Sequence, residues 1–206
     1  MGNLPIVADG LSIRLLTRAD MRLLCEWPPY PRPYGVFRFS FSGQSVEDLD
    51  RTYEARMSDE SRITLVADTA QTSAIGYIAL VGVDWKRGIC GNMAIRIRSD
   101  YCDRGIGSRV LREVRDWWFG HGMNLLRLDV AATNHRAIRC YLNVGYHKTG
   151  EFWRDAEDLV GENLSDRKYR FLGDDVDDSG ATPKVRFYWM EVDGGRVRST
   201  VDRSAP

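Results

Sequence analysis

The chain has 206 residues, of which 43% are hydrophobic, enough for one sizeable core and too few for two ordinary domains. Its 29 basic and 29 acidic residues cancel, so no overall field draws it to nucleic acid or to an anionic membrane. No stretch approaches a membrane helix in length, and the start lacks a basic region followed by a long apolar run, so we expect a cytoplasmic protein with neither partner.

The cysteines and histidines give no sign of a metal site. The four cysteines are scattered, without a C-x-x-C pair and without histidines at zinc spacing. We therefore predict reduced thiols and no bound metal. The three histidines fall in or beside turns, and none has a cysteine or serine nearby in a nucleophile setting, which argues against a catalytic triad.

The first part of the chain predicts a strand, a helix, a loop and a second helix. Residues 11–16 alternate as a strand, and residues 17–27 follow as a helix in which Asp20 completes a capping-box-like start. Residues 28–43 are rich in proline and aromatics and have no helical period. They form either a packed loop or one lip of a substrate cleft. Residues 45–57 carry an N-cap, early acids and apolar spacing, which predicts the second helix.

The middle of the chain predicts three antiparallel strands, over residues 63–70, 73–85 and 88–98. A helix, a strand, a second helix and two more strands then begin near residues 105, 125, 134, 145 and 184. This order predicts an α+β fold, with a mixed, mostly antiparallel sheet of about six or seven strands flanked by helices.

The remaining stretches are less regular. Residues 155–168 predict either a helix or an irregular insertion, and residues 174–180 predict a solvated acidic loop. We expect a single domain over residues 1–193 and a polar, flexible tail over residues 194–206.

The most informative stretch is residues 101–119, in which a glycine-containing turn runs into an amphipathic helix. Gly105 and Gly107 let the backbone approach an anion, and the amides from about Ile106 onward have no partner inside the helix. Together with the helix dipole they favour a phosphate, and Arg104 adds a charge that does not titrate. A lone G-x-G before a helix is weak evidence, because glycine in a turn is usually only turn chemistry.

A second motif sharpens the first. The order strand, CDRGIGSRV, strand, TNHRAIRCYLNVGY resembles the GNAT superfamily of N-acetyltransferases. The acetyl-CoA motif of that superfamily runs Arg/Gln-x-x-Gly-x-Gly/Ala and is followed by Asn-x-x-Ala-x-x-x-Tyr-x-x-x-Gly-Phe. The likeness covers roughly residues 11–153. The matching positions of the second motif are Asn134, Ala137, Ile138, Tyr141 and Gly145, with Tyr146 for the usual Phe.

The resemblance implies an enzyme that transfers the acetyl group of acetyl-CoA to a primary amine of a small molecule or peptide by direct attack. It implies that the amides of residues 103–108 hold the diphosphate, and that the backbone near Ile95 and Ile97 pairs with the pantetheine arm where this strand splays from the strand at Leu125. The cofactor-binding residues implied are Ile95, Ile97, Cys102, Asp103, Arg104, Gly105, Ile106, Gly107, Ser108, Asn134 and Tyr141.

The first motif departs from the family at two positions. Cys102 stands where Arg or Gln is usual, and Asp103 stands where a glycine is common. A thiol supplies no cationic contact, and an inward carboxylate at Asp103 would face the diphosphate with the wrong sign. Arg104 is a candidate to compensate.

The resemblance also implies that Tyr141 donates a proton or a hydrogen bond to the departing thiolate, since a phenol stays protonated at neutral pH. Helical spacing alone favours an ordinary core tyrosine. An amine of pKa about 10.4 is neutral in about one molecule in 2,500 at pH 7, which costs about 4.6 kcal/mol, so some group must take its proton. The family position for that carboxylate falls on Asn92, which is no base. Asp84, Asp129 and a water chain stay open as alternatives.

More than one interpretation stays open for the amine acceptor and for the class of protein. The run Asn-His-Arg-Ala-Ile-Arg-Cys-Tyr is similar to that of aminoglycoside 6′-N-acetyltransferases, which makes an aminoglycoside-type amine one alternative, although this run lies on the cofactor side. Cys102 and Asn92 motivate a non-catalytic acyl-CoA-binding or regulatory module. A dinucleotide-binding fold is disfavoured, because there is neither a G-x-G-x-x-G nor a Walker lysine. A homodimer is a further expectation.

Overall fold

The computed structural model describes residues 4–31 and 41–195. Its strands are β1 (Ile6–Ala8), β2 (Leu11–Leu15), β3 (Ile63–Thr69), β4 (Gly76–Asp84), β5 (Ile89–Ile97), β6 (Leu125–Ala131), β7 (His147–Asp155), β8 (Val176–Asp177) and β9 (Lys184–Asp193). Its α-helices are α1 (Arg18–Cys25), α2 (Val46–Met57), α3 (Ile106–Gly120) and α4 (His135–Leu142). Three 3-10 segments lie at Ser99–Tyr101, Glu157–Leu159 and Arg167–Asp175.

All the strands belong to one sheet of order β1-β2-β3-β4-β5-β6-β9-β7, with β8 also paired to β9. Every neighbouring pair is antiparallel except β5 and β6, which are parallel. The predicted fold class is therefore confirmed, with nine strands among the described residues in place of six or seven. The additional strands are short, and two or three residues are too few for an alternating pattern to be recognised.

Helices cover both faces of the sheet. On one face α3 packs through Val110, Leu111 and Val114 onto strand residues such as Leu126 and Leu128. On the other face α1 and α2 form a second core, which contains Met21, Leu24 and Leu49. A third, smaller core lies between β9 and the 3-10 segments. The sheet is thus enclosed on both sides over most of its width, as a mixed fold of this kind requires.

The start of α1 follows the predicted capping pattern. The carboxylate of Asp20 accepts hydrogen bonds from the main-chain amide of Thr17 at 2.8 Å and from its hydroxyl at 2.6 Å. Arg14 of β2 donates two more, at 2.7 and 2.9 Å. Burial alone would raise the pKa of Asp20, but the hydrogen bonds from Arg14 and Thr17 outweigh burial and lower it. This partly buried ion pair joins α1 to the sheet.

The irregular region after β7 matches the insertion alternative, since it contains only 3-10 turns and coil up to β8. The acidic loop predicted over residues 174–180 was partly wrong, because β8 lies within it and pairs with β9. The predictions for residues 32–40 and 196–206 lie outside the described residues. Among the described helices, none has the length and apolar character needed to cross a membrane.

Candidate active site

A gap between β5 and β6 organises the site. The two parallel strands pair only at Ile89 with Leu125 and at Cys90 with Leu126. Beyond that point β5 continues to Ile97, paired with β4, and β6 continues to Ala131, paired with β9. The strands therefore part from each other along most of their length, as the sequence analysis anticipated, and this opens the gap between them.

The edge of β5 presents main-chain groups to this gap. The amide of Arg98 donates to the carbonyl of Ile75 at 2.8 Å, on the β4 side. Since main-chain groups alternate along a strand, those of Ile97 and Ile95 point toward the gap. The carbonyl of Ile97 already accepts hydrogen bonds from the hydroxyl of Tyr30 and, at 3.5 Å, from the Cys102 thiol. Ile95 therefore offers the more accessible main-chain groups to an extended ligand.

The start of α3 lies at the mouth of the gap. Gly105 is the N-cap residue with φ +75°, a left-handed conformation that glycine adopts without strain, and it has no side-chain cap. The amides of the first helical turn consequently point outward without partners inside the helix. A Cβ added at Gly107 would lie 3.6 Å from the Cys140 Sγ and 3.7 Å from Ile97 Cγ1. Gly107 thus lies in van der Waals reach of two side chains, Cys140 and Ile97, that line the same cavity.

A cavity of about 340 Å³ connects the gap with the first turn of α3. It brings together eight of the predicted cofactor residues, namely Ile95, Ile97, Cys102, Asp103, Gly105, Gly107, Ser108 and Tyr141. It is also lined by Tyr30, Leu111, Arg136, Ala137, Arg139, Cys140 and Asn143. An elongated ligand with a phosphate end and an amide-containing arm fits these walls, because outward amides stand at one end and a strand edge runs along the side.

The charge balance of the cavity is set by α4. Asp103, whose backbone also has positive φ, forms an ion pair with Arg136 at 3.3 Å. Arg139, one turn further along α4, lines the same cavity, so the Asp103 carboxylate is outnumbered by cations. Arg104 is exposed, and its guanidinium stands 5.5 Å from the ring centre of Tyr101. The compensation that Asp103 needs is therefore supplied by Arg136, which the sequence analysis missed.

Tyr141 lies on the inner face of α4, where it lines the cavity and is mostly buried. Its ring centre is 5.8 Å from that of Tyr146. The two phenols differ in surroundings, because Tyr146 is enclosed in the core with its hydroxyl 3.7 Å from the Met93 sulfur. Burial, and next the neighbouring Tyr141, raise the pKa of Tyr146 well above 10. Only Tyr141 of this pair reaches the cavity.

Two further predicted residues have structural contacts near the cavity. The side chain of Asn134 accepts a hydrogen bond from the Ala137 amide at 3.2 Å and so caps α4. Ile106 is buried in the main core beneath the cavity. The Ser108 hydroxyl and the Cys140 thiol are 3.1 Å apart, and burial raises the pKa of that thiol. Cys140 is consequently a poor nucleophile at neutral pH.

A polar cluster lies on the opposite face of the sheet, across the same gap. Leu128 and Val130 point into the core under α3, so Asp129 between them points to the other face. The Nδ2 of Asn92 donates to Asp129 Oδ1 at 2.6 Å, which bridges the gap from β5. Arg154 of β7 donates to Asp129 Oδ2 at 2.8 Å. The gap is thus flanked by Tyr141 on one face and by the Asp129 carboxylate on the other.

Asp84 does not lie beside the gap between β5 and β6. It ends β4 beside Ile89, and its carboxylate accepts hydrogen bonds from the amides of Lys86 and Arg87 at 3.1 and 3.0 Å, which holds the turn before β5. The cavity begins at Ile95, six residues along β5, or about 20 Å away. Of the two carboxylates considered, the one beside the gap is Asp129.

Residues 25–146 match the sequence model of the Acetyltransferase (GNAT) family. The chain belongs to the GNAT family. This confirms the predicted family, its N-acetyltransferase activity on an amine and its use of acetyl-CoA. The cavity, the outward amides of α3 and the edge of β5 suit that cofactor.

Individual relatives of this GNAT protein are distant. Aminoglycoside N(6')-acetyltransferases type 1 of Klebsiella pneumoniae and Serratia marcescens are each 22% identical over 153 residues, 69% of this chain and 76% of the relative. The solved spermidine N-acetyltransferase of Vibrio cholerae in complex with CoA and spermine superposes with a TM-score of 0.65 at 18% identity, covering 90% of this chain and 96% of that one. A second structure from that organism, the spermidine/spermine N-acetyltransferase in complex with manganese ions, gives a TM-score of 0.63 at 18% identity over 95% and 98%. These structures share the fold.

Sequence reasoning missed Tyr30, Arg136, Arg139 and Arg154. The two α4 arginines had a detectable signal, because residues 136 and 139 are three apart on a helix already assigned to the cofactor. Tyr30 lies in the stretch for which a packed loop and a cleft lip were the two interpretations, and it lines the cavity. Arg154 had no signal, because only strand pairing through β9 brings β7 near β6.

Proposed function

We propose that this enzyme acetylates a primary amine of a small cationic molecule, with aminoglycoside-type amines as the first candidates and polyamines as the second. The observation that carries the proposal is the gap between β5 and β6, flanked by the Tyr141 phenol on one face and the Asp129 carboxylate on the other. A donor for a leaving group and an acceptor for an amine proton thus stand on opposite sides of one opening.

The cofactor is assigned to the α3 side of the gap. When bound there, acetyl-CoA supplies the activated acetyl group that the amine receives. The amides of residues 105–108, with Arg136 and Arg139 beside them, hold the diphosphate, and the main chain of Ile95 hydrogen-bonds the pantetheine arm. Ile97 takes part less, because its carbonyl is already occupied.

The two proton movements are assigned to Tyr141 and Asp129. Asp129 accepts the proton that the amine loses, directly or through a water, so that the nitrogen can bond to the acetyl carbon. Tyr141 donates a proton or hydrogen bond to the sulfur as the carbon–sulfur bond breaks. In this proposal Asp84 keeps the structural role of holding its turn.

The acceptor class is supported by charge and by the relatives. Asp129 presents a carboxylate at the gap, and next to it lie the stacked rings of Phe152, Phe187 and Trp189. Carboxylates and aromatic faces both bind ammonium groups. The relatives matched by sequence are named for aminoglycosides, and the similar structures are named for spermidine. Both of these named substrates are small amines.

The test compares two tyrosine variants, Tyr141→Phe and its matched control Tyr146→Phe. Thiol release from acetyl-CoA is followed with kanamycin, spermidine and a lysine-containing peptide as acceptors. We expect Tyr141→Phe to lower kcat about 100-fold. We expect Tyr146→Phe to leave kcat within about twofold, because the Tyr146 hydroxyl contacts only the core.

Three results would change the proposal. Unchanged turnover in Tyr141→Phe removes that phenol from its role. Turnover with the peptide alone moves the acceptor to protein amines. Tight acetyl-CoA binding without thiol release for any amine favours the non-catalytic module.

The remaining assignments are also proposals. A cytoplasmic location is supported by the four cysteines, none of which is in a disulfide. We propose that residues 1–193 form a single domain. We also propose a homodimer, and light scattering measures the oligomeric state.

A further inference from the structure

Arg154 occupies an unusual position beside Asp129. Its guanidinium donates to Asp129 Oδ2 at 2.8 Å and at the same time lies 4.0 Å from the ring centre of Phe187 and 5.3 Å from that of Phe152. A cation is therefore held between one carboxylate and two aromatic rings. This combination is how proteins bind ammonium groups of ligands.

The carboxylate in this cluster is enclosed and the cation is not. The side chain of Asp129 is 10% exposed and that of Arg154 is 45% exposed. Oδ1 of Asp129 is bound by Asn92, so Oδ2 is the oxygen that Arg154 covers. An exposed arginine loses little when it exchanges a carboxylate for water, whereas an enclosed carboxylate without any cation is unfavourable. The departure of Arg154 is therefore favoured when another cation takes its place.

The same oxygen is the one that an acceptor must reach. With Asn92 bound to Oδ1, an ammonium at the gap has Oδ2 as its point of contact with Asp129. Both cations cannot occupy this position at once, because their like charges would stand within a few ångströms of each other. We propose that Arg154 is an internal competitor of the acceptor, which holds the position of the substrate ammonium until a cationic amine displaces it.

This inference rests on the proposed function, which sets the direction from which the amine reaches Asp129. When the ammonium displaces Arg154, it lies against Asp129 Oδ2 and the freed face of Phe187. The proton then passes from the ammonium nitrogen to Oδ2, and the neutral nitrogen carries its lone pair to the acetyl carbon. Arg154 thereby selects for cationic acceptors, because a neutral molecule gives Asp129 no replacement charge.

The chain offers a matched control in Arg127. Arg127 lies on β6 two residues from Asp129, forms an ion pair with Glu191 at 2.5 Å and stands 6.0 Å from the ring centre of Trp189. Its side chain is 43% exposed, close to the value for Arg154. The two arginines thus make the same kinds of contact on the same face, but Arg127 does not cover Asp129.

The experiment measures amine binding in the presence of CoA, without acetyl transfer. Spermidine and kanamycin are titrated calorimetrically into the wild type, Arg154→Met and Arg127→Met, each saturated with CoA. We expect Arg154→Met to lower the Kd of at least one amine about three- to tenfold, because the competitor is gone. Arg127→Met should leave both Kd values within about twofold. A parallel titration with neutral glucose should show no tightening in any variant.

Each other outcome overturns the inference. An unchanged or raised amine Kd in Arg154→Met means that Arg154 orients Asp129 and does not compete. Equal tightening in both variants means a general charge effect. If none of the three proteins binds either amine, Arg154 has no acceptor to compete with and the inference is wrong. Thiol-release assays on the same proteins judge the proposed function separately, since transfer can persist while the Kd comparison fails.

Discussion

The proposed cofactor side and the proposed acceptor side of the gap are built in different ways. Most walls of the proposed cofactor side come from the continuous stretch of residues 102–143, and the phosphate site proposed there combines main-chain amides with Arg136 and Arg139. The acceptor side joins Asn92, Asp129, Arg154 and Phe187, which belong to four different strands. Main-chain sites depend on local conformation, whereas side-chain clusters depend on how strands pair. The first kind suits a constant ligand, and the second can change with the acceptor.

The largest expected effect tests the acceptor side. Asp129→Asn removes the proposed proton acceptor and the negative charge while keeping the shape, so kcat/KM for the amine should fall about 100-fold or more. The Kd for acetyl-CoA should stay within about twofold, because Asp129 faces away from the cavity. Steady-state kinetics and calorimetry measure the two quantities.

Asp84→Asn is the matched carboxylate control for that experiment. It should leave kcat/KM within about twofold, because Asp84 holds a turn at the far end of β4. A large loss in Asp84→Asn with little change in Asp129→Asn would reverse the assignment of the base.

The second effect tests the cofactor side. Gly105→Ala places a Cβ on a residue with φ +75°, which costs about 1–2 kcal/mol of stability and turns the first amides of α3. We expect the Kd for acetyl-CoA to rise about tenfold, equal to about 1.4 kcal/mol. Calorimetry gives the affinity, and denaturant unfolding gives the stability.

Gly122→Ala is the matched variant at the other end of the same helix. Gly122 has φ +76°, and a Cβ there meets no atom within 4 Å, as at Gly105. The two variants should lose similar stability, and only Gly105→Ala should lose affinity. If the two variants bind acetyl-CoA with equal Kd values, the turn at Gly105 does not bind the diphosphate.

The smallest effect on activity is expected in the scaffold that both sides share. Asp20→Asn should lower the free energy of unfolding by about 1–3 kcal/mol at pH 7, because Arg14 loses one of its two carboxylates. The folded-state pKa of Asp20 is lowered, so its contribution is fully present above the ordinary value of about 3.9 and disappears as the pH falls through the folded-state pKa.

Denaturant unfolding between about pH 2 and 7 measures that contribution. The stability difference between the wild type and Asp20→Asn should shrink toward the acid end, while the Kd for acetyl-CoA at pH 7 stays unchanged. A difference that is constant with pH would mean that the ionised carboxylate of Asp20 contributes nothing.

Local patterns predicted the elements well where the pattern was long. Thr17 and Asp20 marked the start of α1, and Gly105 marked the start of α3, because capping and left-handed backbone depend on neighbouring residues alone. The strands β1 and β8 escaped notice, because each is stabilised by its partner strand more than by its own few residues.

The sequence by itself determined the family and the cofactor, and it predicted the turn that we propose binds the phosphate, since these depend on glycine dihedrals and on the spacing of residues along α3 and α4. Only the tertiary structure decided which carboxylate stands at the gap. In the sequence alone, Asp84 and Asp129 are equally good candidates for the base. Asp129 lies beside the gap because β6 pairs with β5 for two residue pairs and then parts from it. Strand pairing between distant segments is non-local, so no short window of sequence contains it.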